Sequence, residues 1–286
     1  MSRILVMTDS TCDLPAEQVR KHDIRIVPTY VQFDQESLAD DGVQLTREDF
    51  YRRLATESTL PTTAAPSLGK TLEVLSGALH DADHVVAICA PARLSGIFNT
   101  FHLAAEQTDP SRVTLIDGNM VTMGLGWQAV EAATMAQNGA SPEEIEQRLT
   151  SMQPRTDVYA ALDTFEYLRR SGRVGWATAA IGSFLQVKPL IRLHMSDVTP
   201  EARVRTTQRA FDKLVELGRQ AAPLSRLAIL HTRNESKAEE LRDALSGIHP
   251  PDTDVPIVEV TPVIGVHVGP KGLGLSLIRE TESRRN

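Results

Sequence analysis

Three short segments of this chain gather hydroxyls beside small residues: Thr8-Asp9-Ser10-Thr11, the run from Thr62 to Ser67, and Leu94-Ser95-Gly96. Each follows an apolar run or opens a helical one, and in an open α/β sheet ligands collect beyond the carboxyl ends of the strands. Each also fits a helix cap, the commoner use of such residues when one segment is taken alone. Ser95-Gly96 is the sharpest of the three. A hydroxyl next to free backbone N–H groups at a helix N-terminus receives an anion, and glycine lets that anion approach the backbone closely. Two further residues carry polar chemistry in the second half. Arg173 follows a short helical pattern in Arg170-Ser171-Gly172-Arg173-Val174. His267 lies between Gly265 and Gly269, in what reads as a glycine-punctuated turn between strands. Read singly, the first is a surface arginine and the second a turn histidine satisfied by backbone.

A catalytic alternative needs a nucleophile with a base in reach. Ser95 and Cys12 are the candidates, for a serine-type or cysteine-type hydrolase. Ser95 lacks the G-x-S-x-G setting of a nucleophile elbow. Cys12 and Cys89 are the two cysteines and do not form a metal-binding C-x-x-C pair. No G-x-x-x-x-G-K-[ST] loop is present, so ATP binding by this chain is not expected. No metal or cofactor is expected either.

The elements around these residues read as α/β. In the first half, strand patterns at 4–7, 24–33, 85–89 and 113–116 alternate with helical patterns at 68–79, near 95, and at 121–136, which predicts βαβ units and a parallel sheet. Asp13 fits the N-cap of a helix with Pro15 in its first turn. Ser141, Pro142 and Glu144 mark another helix start, and the break at Gln153-Pro154-Arg155 places a domain boundary there. The expected domains are 1–153, with a parallel sheet, and 154–286. In the latter, strands at 158–162, 188–193, 227–231, 255–260 and 273–278 and helices at 165–170, 209–221 and 236–245 do not alternate strictly, predicting a mixed sheet. The net charge of −7 argues against a nucleic-acid binder. With no export signal or membrane-length apolar run, the expected location is cytoplasmic, with at most transient membrane contact.

Taken together, five motifs resemble the DegV family of fatty-acid-binding proteins. They are MTDSTCDLP at 7–15, TAAPS at 63–67, LSG at 94–96, LDTFEYLRRSGR at 162–173 and GVHVGP at 265–270, in the family's order. The resemblance implies two α/β domains with one long-chain fatty acid between them. It implies a non-catalytic binding subunit of a bacterial fatty-acid kinase, which presents the carboxylate to a separate ATP-binding subunit that makes an acyl phosphate. By matching position, Thr63 and Ser95 would hold the carboxylate, with Gly96 beside them and Arg173 and His267 near the head group. The chain departs from the family's usual residues at Ala64 and Ala65 and in the run Pro91-Ala92-Arg93. The alternative within the same resemblance is a lipid-sensing regulatory protein without a kinase partner.

The physics of such a ligand is consistent. A buried carboxylate needs several donors, which two hydroxyls and a backbone N–H supply. At roughly 0.8 kcal/mol per buried CH₂, about fourteen methylenes contribute at most ~11 kcal/mol. Chain and rigid-body entropy reduce this to micromolar-to-nanomolar affinity.

Overall fold

A computed structural model describes residues 3–57, 59–175, 187–250 and 253–281. The chain forms two compact units. The first takes in the chain as far as Pro154 together with Thr261–Val263; the second begins at Arg155 and resumes at Ile264.

The first unit is built on a four-stranded parallel sheet. Its strands are β1 (Ile4–Asp9), β2 (Arg25–Val27), β6 (His84–Cys89) and β7 (Val113–Asp117), in the order β2-β1-β6-β7. Their near-continuous apolar character follows from cover on both faces, and Met7, Val85, Val86 and Ile88 are essentially out of solvent. Helices α3 (Leu68–Asp81) and α4 (Ile97–Glu106) share a core with the strands through Leu75, Ala78, Phe101 and Ala104. Helix α5 (Met123–Gln137) packs on β1 and β6. Helix α6 (Pro142–Met152) starts with the capping box anticipated from sequence, Ser141 and Glu144 each bonding the other's backbone.

Two local expectations for this unit are corrected. The extended run at 24–33 is not one strand. It breaks at Pro28-Thr29 into β2 and β3 (Tyr30–Phe33), and β3 joins a separate antiparallel sheet with β4 (Glu36–Ala39) and β5 (Thr62–Ala64), in the order β4-β3-β5. Asp13 does not cap the next helix, α1 (Ala16–Lys21), whose N-cap position is Pro15 without a side-chain bond. Asp13 instead adopts the left-handed conformation (φ 54°) after the short 3₁₀ turn Ser10–Cys12, and its carboxylate is committed elsewhere.

The second unit holds a six-stranded mixed sheet. It comprises β8 (Thr156–Ala161), β9 (Lys188–His194), β10 (Asp197–Val204), β11 (Leu224–His231), β12 (Ile257–Glu259) and β13 (Leu273–Arg279), ordered β10-β9-β8-β13-β11-β12. All neighbours pair antiparallel except β11 and β12. β10, an edge strand, carries Pro200 beside a register shift, as proline at an edge requires. Helices α8 (Thr207–Ala221) and α9 (Glu235–Ala244) bury Leu214, Leu217, Ala238 and Leu241 against Leu273, Leu275 and Leu277 of β13. No helix among the described residues is long and apolar enough to cross a membrane.

Candidate functional site

In the first unit, Asp9, Ser10 and Thr11 at the end of β1 are spent on the fold. The fully buried Asp9 accepts the Thr11 N–H (2.9 Å), the Thr11 hydroxyl (2.6 Å) and, across the sheet, the Ala90 N–H (2.8 Å). Ser10 Oγ lies 2.6 Å from the Thr29 hydroxyl and accepts the Thr29 N–H. Ser67 likewise caps α3 by accepting the Lys70 N–H. For these residues the capping use holds.

Thr63 and Ser95 differ. Thr63 sits in β5, paired with Val31, and is half-buried. Ser95 precedes α4, whose N-cap is Gly96; it is half-buried and accepts the Ile97 N–H at 3.3 Å. The two segments meet. A Cβ placed on Gly96 would lie 3.9 Å from the Ala65 Cβ, and Ala65 and Ile97 belong to one apolar cluster. Thr63 stands two residues before Ala65, and Ser95 one residue before Gly96. The junction brings the segment bearing Thr63 to the segment bearing Ser95 and the N-terminus of a ten-residue helix, with apolar Ala65 and Leu68 in the same cluster. Chemically it suits an anionic head attached to an apolar body.

The second unit brings Arg173 and His267 together. α7 (Glu166–Ser171) ends at Gly172 in the left-handed conformation (φ 68°), and Arg173 follows, exposed, with its Nη1 donating to the Ser171 carbonyl at 2.7 Å. His267 corrects the expected turn, for it lies in the last turn of a helix, α10 (Pro262–Val268). The helix closes with Gly269 N–H on the Gly265 carbonyl (2.8 Å), and Gly269 is left-handed (φ 72°), the usual glycine stop. Val174, next to Arg173, and Val268, next to His267, pack in one cluster with Leu162, Phe165, Leu168 and Ile191. Burial pushes the His267 imidazolium down to about 4, and the charge of Arg173 pushes the same way. His267 is therefore neutral at physiological pH, and Arg173 carries the positive charge of the pair.

Asp13, expected as a helix cap, and Asp40, which the sequence did not single out, together secure the start of α10. Asp13 accepts the Thr261 N–H (2.7 Å) and Asp40 the Val263 N–H (3.1 Å), both carboxyls buried. Burial raises both to about 7, against the pull of Arg47, with Asp9 adding to the rise of Asp13 and Asp13 to that of Asp40. Sequence offers no signal for this, since a lone Asp in a loop is ordinary.

Cys12 is not a thiolate nucleophile. It is buried, and desolvation raises its thiol far above neutral pH, with Asp9 and Asp13 adding to the effect.

This α/β chain has known counterparts. It matches, over residues 3–280, the model of a family described as "Uncharacterised protein, DegV family". It is 34% identical over 278 residues to a DegV domain-containing protein of Deinococcus radiodurans, covering 96% of this chain and 98% of that one. Among solved structures, a DegV family protein from Thermus thermophilus described by its fatty-acid binding superposes with TM-score 0.89 at 28% identity, covering 97% and 100% of the two chains. DegV from Bacillus subtilis, described as a fatty acid binding protein, superposes with TM-score 0.87 at 28% identity, covering 98% and 100%. The chain belongs to the DegV family.

Proposed function

We propose that this protein binds one long-chain fatty acid, its carboxylate held by Thr63 and Ser95 with the backbone at Gly96, and presents that carboxylate to a separate ATP-binding kinase subunit. What carries the reading is the near full-length likeness to two DegV proteins described as fatty-acid binders. The approach of Gly96 to Ala65 supports the site, because it brings together the segments that carry Thr63 and Ser95, which are far apart in the chain. In the proposed reaction a carboxylate oxygen bonds to the γ-phosphorus of ATP on the partner, the bond to the bridging oxygen breaks, and ADP leaves. This chain supplies position and charge: Arg173, permanently protonated, steadies the growing negative charge, and neutral His267 donates or accepts one hydrogen bond. A cysteine-type hydrolase is disfavoured by the buried Cys12, because burial raises its thiol far above neutral pH.

Native mass spectrometry of the protein purified from bacteria, followed by denaturing extraction, tests this. The expected result is one C14–C18 fatty acid per chain. Repeated recovery of none, with failure to reload oleate, would overturn the reading.

A further inference from the structure

In the second unit, an aromatic ring packs against the end of α10. Gly269 ends α10, two residues past His267, with φ +72°. A Cβ built on it would lie 2.2 Å from Tyr167 Cδ2, 2.6 Å from Cε2 and 2.8 Å from Cγ. The Tyr167 ring therefore occupies the space that any other side chain at 269 would need, and only glycine satisfies both the backbone conformation and the ring. Tyr167 belongs to α7, which leads through Gly172 to Arg173. Its neighbour Leu168 is buried in the same cluster as Val174 and Val268, the residues adjoining Arg173 and His267. The ring thus seats the end of α10 on the helix that leads into Arg173.

We propose that Tyr167 is a positioning residue, whose ring on Gly269 holds His267 beside Arg173. The ring, rather than the hydroxyl, makes the contact, so phenylalanine should replace it and alanine should not. With the ring gone, the end of α10 loses its seat, and His267 gains water and distance from Arg173. Its titration then moves from about 4 towards that of an ordinary histidine. Arg173 is the charged group that acts on His267, while Glu166, Arg170 and Asp163 surround Tyr167 itself. The effect on ligand affinity rests on the fatty-acid reading above; the effect on His267 does not.

The experiment is an NMR titration of the His267 imidazole in ligand-free protein, paired with the dissociation constant for oleate. Tyr167→Phe should leave both at wild-type values. Tyr167→Ala should raise the His267 midpoint by a unit or more and leave oleate bound, with its affinity changed by no more than a few-fold. An unshifted midpoint in Tyr167→Ala overturns the proposal, as does a Tyr167→Phe variant that shifts as far as alanine. If alanine prevents folding, Tyr167→Leu keeps the apolar bulk without the ring and should shift the midpoint part of the way; a wild-type midpoint there is equally contrary. A shifted midpoint with unchanged oleate affinity keeps Tyr167 as positioning residue, since the tail supplies most of the affinity.

Discussion

Ser95 and Thr63 show how little a residue type says until its neighbours are known. Ser10, Thr11 and Ser67 carry the same hydroxyl, and theirs are spent on Thr29, Asp9 and the first turn of α3. The Ser95 hydroxyl makes a longer bond, 3.3 Å, to the Ile97 N–H, at a helix end opened by exposed Gly96. If Thr63 and Ser95 grip a carboxylate, removing either deletes a hydrogen bond to a charged group, worth about 1.5–3 kcal/mol. Ser95→Ala and Thr63→Ala should each raise the oleate dissociation constant about tenfold or more, measured by fluorescence displacement. Unchanged affinity in both variants would place the head group elsewhere. The motif residues Thr63, Ser95, Arg173 and His267 are visible in sequence because each sits in a short string with its own small or glycine neighbours. Asp40 and the part played by Tyr167 are not, because their significance lies in partners at positions 263 and 269.

At the scale of elements, α10 is the instructive case. Its residues Val263, Ile264, Val266 and Val268 are β-branched and Gly265 is a poor helix former, so local preference favours strand or turn. The helix forms because Pro262 suits its first turn, Asp13 and Asp40 accept N–H groups at its start, and Gly269 stops it. The anchoring has a pH signature. Both carboxyls stand at about 7 in the folded chain against 3.8 for an ordinary aspartate. A folded pKa above the unfolded one favours folding at low pH, and that contribution is lost as pH rises through 4 to about 7. Asp40→Asn keeps a carbonyl acceptor for the Val263 N–H and removes the charge. Relative to wild type it should therefore gain stability as pH rises, by up to about 2–3 kcal/mol between pH 5 and 8, at about 1.4 kcal/mol per pKa unit. Urea unfolding at the two pH values checks this, and a difference that does not grow with pH would contradict it. His267 contributes with the opposite sign, since its lowered pKa costs stability as pH falls from 6.5 towards 4. Comparing the variant with wild type cancels that term.

For the whole molecule, the proposed role is presentation, and presentation differs from storage in what its charged residues do. A store draws nearly all its affinity from the buried tail and loses little with Arg173 or His267. A presenting subunit needs them when negative charge gathers on the transferred phosphoryl group. Arg173→Ala and His267→Ala should therefore retain bound fatty acid but lose acyl-phosphate formation when mixed with a cognate kinase subunit and ATP. Both variants binding oleate normally and turning over at the wild-type rate would remove Arg173 and His267 from that role.

The sequence by itself determined the alternation of strand and helix in the first half, the mixed order of the second, the capping box of α6 and the family. These are legible because hydrophobic period, caps and short motifs are local, each written within a few residues. Only the tertiary structure decided that the run at 24–33 divides between two sheets, that Asp13 serves Thr261 rather than its own helix, and that His267 rides on a helix. It also decided that Tyr167 fills the space above Gly269. Each of these depends on groups far apart in the chain, up to 248 residues for Asp13 and Thr261, and the energy of a buried hydrogen bond or a ring on a glycine leaves no periodic trace in either partner's own segment.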